Sequence, residues 1–208
     1  MIISAVRNII CLLGLIFMVP ILCMAAIIVM VEDGFPPFFK QQRIGLHQEI
    51  FTIYKVRTLK RNAPQVGTHE LKENFQLKSG KFIRALKLDE FPQLYNVIRG
   101  DINLIGPRPG LISQTKLEDA RLKNGIHKIK PGITGLAQVL GYDMSNPLLL
   151  ADIDLLYMQH KSFTVNIIIL MSTFFSFPKK YLAARFKTVS YTHLRAHETV
   201  LDLVCRLL

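Results

Sequence analysis

Residues 88–109, LDEFPQLYNVIRGDINLIGPRP, hold three carboxylates (Asp89, Glu90, Asp101) and two arginines (Arg99, Arg108). Five breakers, Pro92, Gly100, Gly106, Pro107 and Pro109, punctuate them. Charge runs on helical faces lack such breakers. Here the prolines and glycines force turns, and turns aim side chains at a shared point. Carboxylates can hold a divalent metal or attack a phosphorus atom, and arginines can clamp phosphates. Arg108 stands between Pro107 and Pro109, where the backbone has little freedom, and a guanidinium on a stiff loop suits bidentate phosphate binding. Asp101 follows Gly100 and can cap a turn or orient Arg108. By residue chemistry alone Asp89–Glu90 also reads as an ordinary acidic pair at a helix start.

A second basic set is Arg43, Lys55 and Arg57. Period-2 alternation puts Lys55 and Arg57 on one strand face, where both reach a diphosphate or else lie solvated beside anionic lipid. KPGITG supplies Lys130, Gly132, Thr134 and Gly135, and glycine-rich turns expose N–H groups to anions. Asp152 and Asp154 are further acids.

These groups need elements to place them. Glu49–Leu59 alternates in part and predicts a strand. Residues 60–79 are polar and predict a loop over the site. Gly80–Leu88 predicts a short helix. A second helix is expected to begin just before Pro92, which a first turn tolerates, and to end at Arg99 with Gly100 as its cap. Asp89 and Glu90 then fall in its first turn, where unpaired N–H groups and the positive dipole end keep carboxylates ionised. Ser113–Lys123 and Leu148–His160 predict helices, and Ala137–Leu140 a strand. The apolar run Val165–Phe177 is too short to span a bilayer and predicts a core or interfacial helix.

Ile9–Val31 is 23 residues without a charge, long enough for the roughly 20 residues of a span. Pro20 at its middle removes a helical hydrogen bond and favours a kink. The residues allow either a re-entrant helix–break–helix or a kinked single pass. Arg7 alone precedes the segment, whereas Lys40, Arg43, Lys55 and Arg57 follow it, which puts the downstream part on the cytoplasmic side in both cases.

The composition narrows the function classes. Half of the 208 residues are hydrophobic and the net charge is +11. That balance suits an anionic membrane surface or phosphorylated substrates. Trp is absent and no RNA-binding aromatic motif occurs, so nucleic acid is not an expected partner. Cys11, Cys23 and Cys205 lack metal-ligand spacing and imply no disulfide framework. The residues also permit a non-catalytic membrane-anchored scaffold that binds anionic lipid.

Four motifs in order, QQRIG (41–45), FTIYKVRT (51–58), the 88–109 segment and KPGITGLAQV (130–139), follow an apolar N-terminal segment. Together they resemble the bacterial sugar transferases of the monotopic phosphoglycosyl transferase family. The resemblance implies an α+β, mostly helical, membrane-associated catalytic domain with a re-entrant N-terminal segment broken at Pro20, where Val19 replaces the usual serine. It implies transfer of a sugar-1-phosphate from a UDP-sugar to polyprenyl phosphate, with release of UMP, at the cytoplasmic face of the bacterial inner membrane. Asp89 is then the nucleophile. Glu90 binds Mg²⁺ or assists proton handling, and Pro107, Arg108 and Pro109 belong to the nucleotide-sugar pocket. Downstream glycosyltransferases are the expected partners in surface-glycan synthesis. Asn166 stands where relatives often carry aspartate.

The expected organisation is a membrane segment over 1–34, a catalytic domain over 35–187 and an atypical tail over 188–208. The tail departs from the family pattern and resembles vector or adapter read-through. His193, His197 and Glu198 within it are spaced like a metal pair but read as an incidental amphipathic stretch.

Overall fold

The computed structural model describes residues 2–64, 75–175 and 179–186, with side chains from residue 5 onward. Residues 65–74 of the expected 60–79 loop and all of the tail motifs lie outside the described residues.

The first element is the long helix α1, Ile2–Asp33. Cys11, Met18, Leu22, Ala25 and Val29 are buried, at spacings of seven, four, three and four, the stripe of a helix that packs on one face. The opposite side leaves Ile9, Leu13, Phe17 and Val31 exposed. The helix continues through Pro20, so the expected break is not an interruption of helical structure. Pro20 lies on the exposed side, where its lost hydrogen bond and bulky ring disturb no packing against the rest of the chain.

Both ends of the described helix meet the remainder of the protein. Arg7 Nη1 donates to Asn103 Oδ1 at 2.9 Å, and Asp33 pairs with Arg57 at 2.6 Å. Glu32 accepts the N–H groups of Lys78 and Ser79.

Strands β1, Phe38–Ile44, and β2, Ile50–Val56, form an antiparallel hairpin that pairs Phe38 with Val56 and Ile44 with Ile50. The hairpin leads through α2, Lys78–Ala85, to a 3-10 turn over Leu88–Gln93 and then α3, Leu94–Arg99. One continuous α-helix from Pro92 was expected. The chain instead winds more tightly through Asp89 and Glu90, with Lys87 in the left-handed region at φ 56° and Glu90 N–H donating to Lys87 O. Gly100 ends α3 at φ 86°, as the cap reading requires.

Strand β3, Asn103–Ile105, runs parallel to β4, Gly132–Thr134. Helix α4, Thr115–Lys123, lies between them in sequence. Leu136–Leu140 forms the short helix α5, not a strand, because five residues are too few for a periodicity that separates the two. Then come α6, Pro147–His160, α7, Phe163–Phe174, and a helical stretch over 179–186. One core joins α4 to α7 and residues Leu182 and Phe186. A second joins α1 to β2, α2 and Leu88. The fold is mixed α and β and mostly helical, as expected.

Candidate active site

The 3-10 turn sets Asp89 and Glu90 opposite strand β2. Lys55 Nζ donates to Glu90 Oε1 at 3.0 Å, and Arg108 Nη1 donates to the same oxygen at 3.0 Å. Glu90 is thus held between a strand lysine and the arginine of the Pro-Arg-Pro loop. Its second oxygen has no hydrogen bond among the described residues. Burial pushes the Glu90 carboxyl up, but the charges and hydrogen bonds of Arg108 and Lys55 outweigh it and hold the group at about 2.

Asp89 differs. It makes no hydrogen bond or ion pair among the described residues. Burial raises it above the ordinary carboxylate value, against the pull of Lys55. The dipole reading predicted a depressed carboxylate. A 3-10 turn lacks the aligned N–H groups of an α-helical first turn, so desolvation wins. Neighbouring carboxylates therefore take opposite characters: Glu90 is a fixed charge within an ion cluster, and Asp89 is a half-desolvated carboxylate with free oxygens.

Both face an open cleft of about 1360 Å³. Nine lysine or arginine residues line it against only these two acids, which suits a polyanion. The far wall is apolar, with Ala26, Ile27 and Met30 of α1. A ligand that joins a diphosphate to a lipid-soluble partner matches such a pairing of walls.

Arg43 and Arg57 also line the cleft. Arg43 donates to Pro109 O at 3.1 Å and Gln41 Oε1 at 2.6 Å, so it fixes the Pro-Arg-Pro loop. Burial lowers its guanidinium to about 9. Arg57 is committed to Asp33 and to the carbonyls of Asp33 and Gly34, so it anchors the end of α1 beside the site. In each arginine Nε is buried and has no hydrogen-bond partner among the described residues. Arg57 is buried and ion-paired, not solvated.

Three expectations are corrected. Asp101 does not orient Arg108; it accepts from Asn96 at 2.9 Å and lies 3.5 Å from Arg99. Lys130 does not cradle an anion; its Nζ donates to Gly100 O at 2.6 Å and completes the α3 cap. The KPGITG glycines serve close packing. A Cβ on Gly132 would lie 2.1 Å from Gly106 N, and one on Gly135 2.2 Å from Gly106 O. Gly132 N–H donates to Pro107 O and Gly106 N–H to Thr134 O, so these groups clamp the Pro-Arg-Pro loop and are not open to a ligand.

The remaining acids are structural. Asp154 takes two bonds from Arg121, at 3.0 and 2.6 Å, both groups buried. Asp152 accepts from Asn124. Asn166 accepts from Tyr157 at 3.0 Å and needs no charge there. Cys23 is exposed and Cys11 buried, both free.

Arg84, Lys87 and Gln138 line the cleft but escaped the sequence reading. Arg84 donates to Thr58 at 2.7 Å. Its spacing of three from Lys87, just before the Asp-Glu pair, is the signal that could have found both.

Residues 2–180 match the family model of the bacterial sugar transferases. The chain is 39% identical over 146 residues to the "Uncharacterized sugar transferase EpsL" of Bacillus subtilis (strain 168), covering 70% of this chain and 72% of that one. It is 37% identical over 126 residues to a UDP-glucose:undecaprenyl-phosphate glucose-1-phosphate transferase of Caulobacter vibrioides, covering 59% of this chain and 47% of the relative. It is 32% identical over 161 residues to the UDP-N-acetylgalactosamine-undecaprenyl-phosphate N-acetylgalactosaminephosphotransferase of Aeromonas hydrophila, covering 74% and 38%. The chain therefore spans less than half the length of the last two.

Proposed function

The chain belongs to the bacterial sugar transferase family, and from that premise we propose that it transfers a sugar-1-phosphate from a UDP-sugar to undecaprenyl or another polyprenyl phosphate. The observation that carries the reading is the contrast between Asp89 and Glu90. One carboxylate is free, partly desolvated and exposed to a basic cleft; the other is locked between Lys55 and Arg108.

An Asp89 oxygen bonds to the β-phosphorus of the UDP-sugar. The bond from that phosphorus to the bridging oxygen breaks, and UMP departs with the bridging oxygen and its electron pair. An aspartyl-phosphosugar remains. An oxygen of the polyprenyl phosphate then attacks the same phosphorus, the bond to Asp89 breaks, and the lipid diphosphate sugar leaves with the carboxylate restored. Lys55, Arg108 and Arg43 hold phosphate oxygens, and Glu90 keeps Lys55 and Arg108 in place. Partial desolvation raises the nucleophilicity of Asp89, and the surrounding cations let two anions meet.

The donor set fits Mg²⁺. No cluster of three or more His, Cys, Asp or Glu forms a protein-only cage among the described residues, and Mg²⁺ is commonly held by one or two carboxylates plus substrate phosphates. Asp89 and the free oxygen of Glu90 are those carboxylates. When bound, the ion lowers the negative charge of the diphosphate.

The protein would work at the cytoplasmic face of the inner membrane and begin a surface glycan that downstream glycosyltransferases extend. A monotopic placement is supported by α1: Arg7 and Asp33, about 39 Å apart along a helix, both bond to the rest of the protein. A helix crossing away from its domain would carry one of these ends to the other side.

The test is mass spectrometry of protein mixed with Mg²⁺ and a UDP-sugar without acceptor. A phosphosugar on Asp89 is expected. UMP release with no such adduct, or with the adduct elsewhere, defeats the assignment.

A further inference from the structure

Behind Glu90 lies a second, smaller cavity of about 230 Å³, between the Leu88–Gln93 turn and α7. It adjoins the cleft, with Lys87, Glu90 and Gln138 lining both. Its walls are otherwise mainly apolar: Leu94, Leu104, Ile133, Val139, Leu170 and Phe174. The volume falls below the roughly 300 to 1,000 Å³ of pockets that enclose a whole drug-sized ligand, so the groove takes a segment of a ligand that continues elsewhere.

The polar atoms of the wall leave little for a sugar. The Thr134 and Thr173 hydroxyls bond each other at 2.8 Å, and Thr173 also donates to Ile169 O. Ser172 Oγ and Gln138 Oε1 lack partners among the described residues but are buried within the wall. Two cations stand at the groove, Lys87 and Lys179. Lys87 donates to Thr173 O at 2.8 Å and is held in the left-handed region at φ 56°, a conformation that costs a non-glycine residue energy and often marks a ligand site. Lys179 is close enough to Lys87 for their charges to repel, a repulsion that a shared anion relieves. Beside the groove, Met171, Phe174 and Phe175 are exposed, which gives an apolar chain a path from the membrane.

We propose that this groove receives the first isoprene units of the polyprenyl phosphate acceptor, with Lys87 and Lys179 holding its phosphate next to Asp89. The inference rests on the reading of the cleft as the phosphoryl-transfer site. Lys87, two residues before Asp89, then links the donor and acceptor halves of the site.

The chain contains no tryptophan, so Phe174→Trp in the full-length protein creates a single fluorescent reporter on the groove wall. Titration in detergent with farnesyl monophosphate is expected to shift its emission saturably. Farnesol and inorganic phosphate at the same concentrations are not. Adding Lys179→Glu raises the half-saturating concentration at least tenfold, and Lys179→Arg restores it to within about threefold. Lys179 is exposed, so neither change threatens folding. The proposal is overturned by the absence of a saturable shift, by an equal response to farnesol, by an equal response to a UDP-sugar, or by indifference to Lys179→Glu. UMP release without acceptor, measured on the same preparations, reads the cleft separately. Release with no farnesyl phosphate response sinks the groove alone; a response with no release sinks the cleft reading.

Discussion

Lys55 and Glu90 bond at 3.0 Å across 35 residues of sequence, joining strand β2 of the hairpin to the turn that carries Asp89. The bond does not make Lys55 an ordinary surface ammonium. Burial and the charge of Arg108 lower it to about 8, with Glu90 opposing.

A pH dependence follows. A lysine loses its charge as pH rises through its pKa, so kcat/KM for the UDP-sugar should fall up to tenfold per unit above about pH 8. Lys55→Arg keeps its charge throughout and should remove this alkaline limb. In the proposed mechanism the acid limb comes from Asp89, which must be ionised to attack. Because its value is raised, the rate should fall as pH drops through a point above the ordinary 3.8. Stopped assays of UMP release from pH 4 to pH 10 check both limbs.

The two carboxylates should respond differently to removal of charge. Asp89→Asn should lower UMP release by about 10³-fold or more, since the amide cannot form the intermediate. Glu90→Gln should lower it by a smaller factor, about 10², through misplaced Lys55 and Arg108. The adduct should remain detectable in Glu90→Gln protein only. Equal single-turnover rates for the two variants would contradict the division of roles.

Gly132 tests the clamp beneath Arg108. An added Cβ would meet the backbone of Gly106 and Ile105, at 2.1 and 2.6 Å, which cannot move aside as a flexible side chain would. Gly132→Ala should destabilise the protein by about 3 kcal/mol and weaken UDP-sugar binding. Chemical denaturation in detergent, with KM measured below the transition, separates the two effects.

The Arg121–Asp154 pair, 2.6 Å apart with each side chain 3% exposed, joins α4 to α6. Asp154→Ala leaves the buried Arg121 guanidinium with only Glu118, at 3.3 Å, as its ion-pair partner and should cost about 3 kcal/mol. Replacing both, Arg121→Met with Asp154→Leu, should recover most of that. If the single and double variants melt together, the pair is not the source of the loss.

The anchoring of both ends of α1 predicts its topology. A cysteine at Ser4, in a protein with Cys11, Cys23 and Cys205 replaced, should react with a membrane-impermeant maleimide in inverted vesicles and not in intact cells after outer-membrane permeabilisation. Labelling from the periplasm would contradict the monotopic placement.

Much of this arrangement is legible along the chain. The apolar run of α1, the alternation of β2, the αL cap at Gly100 and the helices near 148–160 and 163–174 follow from local periodicity and turn chemistry. So does the gathering of Asp89, Glu90 and Arg108 at one place, since closely spaced prolines and glycines leave few ways to separate them. The pattern failed where a residue's partner is remote. Arg57 reads as a phosphate ligand until Asp33, 24 positions away, takes it. Lys130 reads as an anion site until Gly100 O claims it. The glycines of KPGITG read as a cradle until their backbone is found pressed against Gly106.

Sequence by itself determined which side chains can do chemistry and that they cluster beside a lipid-soluble segment. Tertiary structure decided their surroundings: which carboxylate is paired and which is left without a hydrogen-bond partner among the described residues. Asp89 and Glu90 are neighbours with nearly the same side chain, and no local rule distinguishes them. What does is the desolvation of one and the pairing of the other with Lys55 and Arg108, and both effects arise only when β2 and the Pro-Arg-Pro loop fold against the turn. Electrostatic energy depends on distance through space and on exclusion of water, neither of which is written in the order of residues.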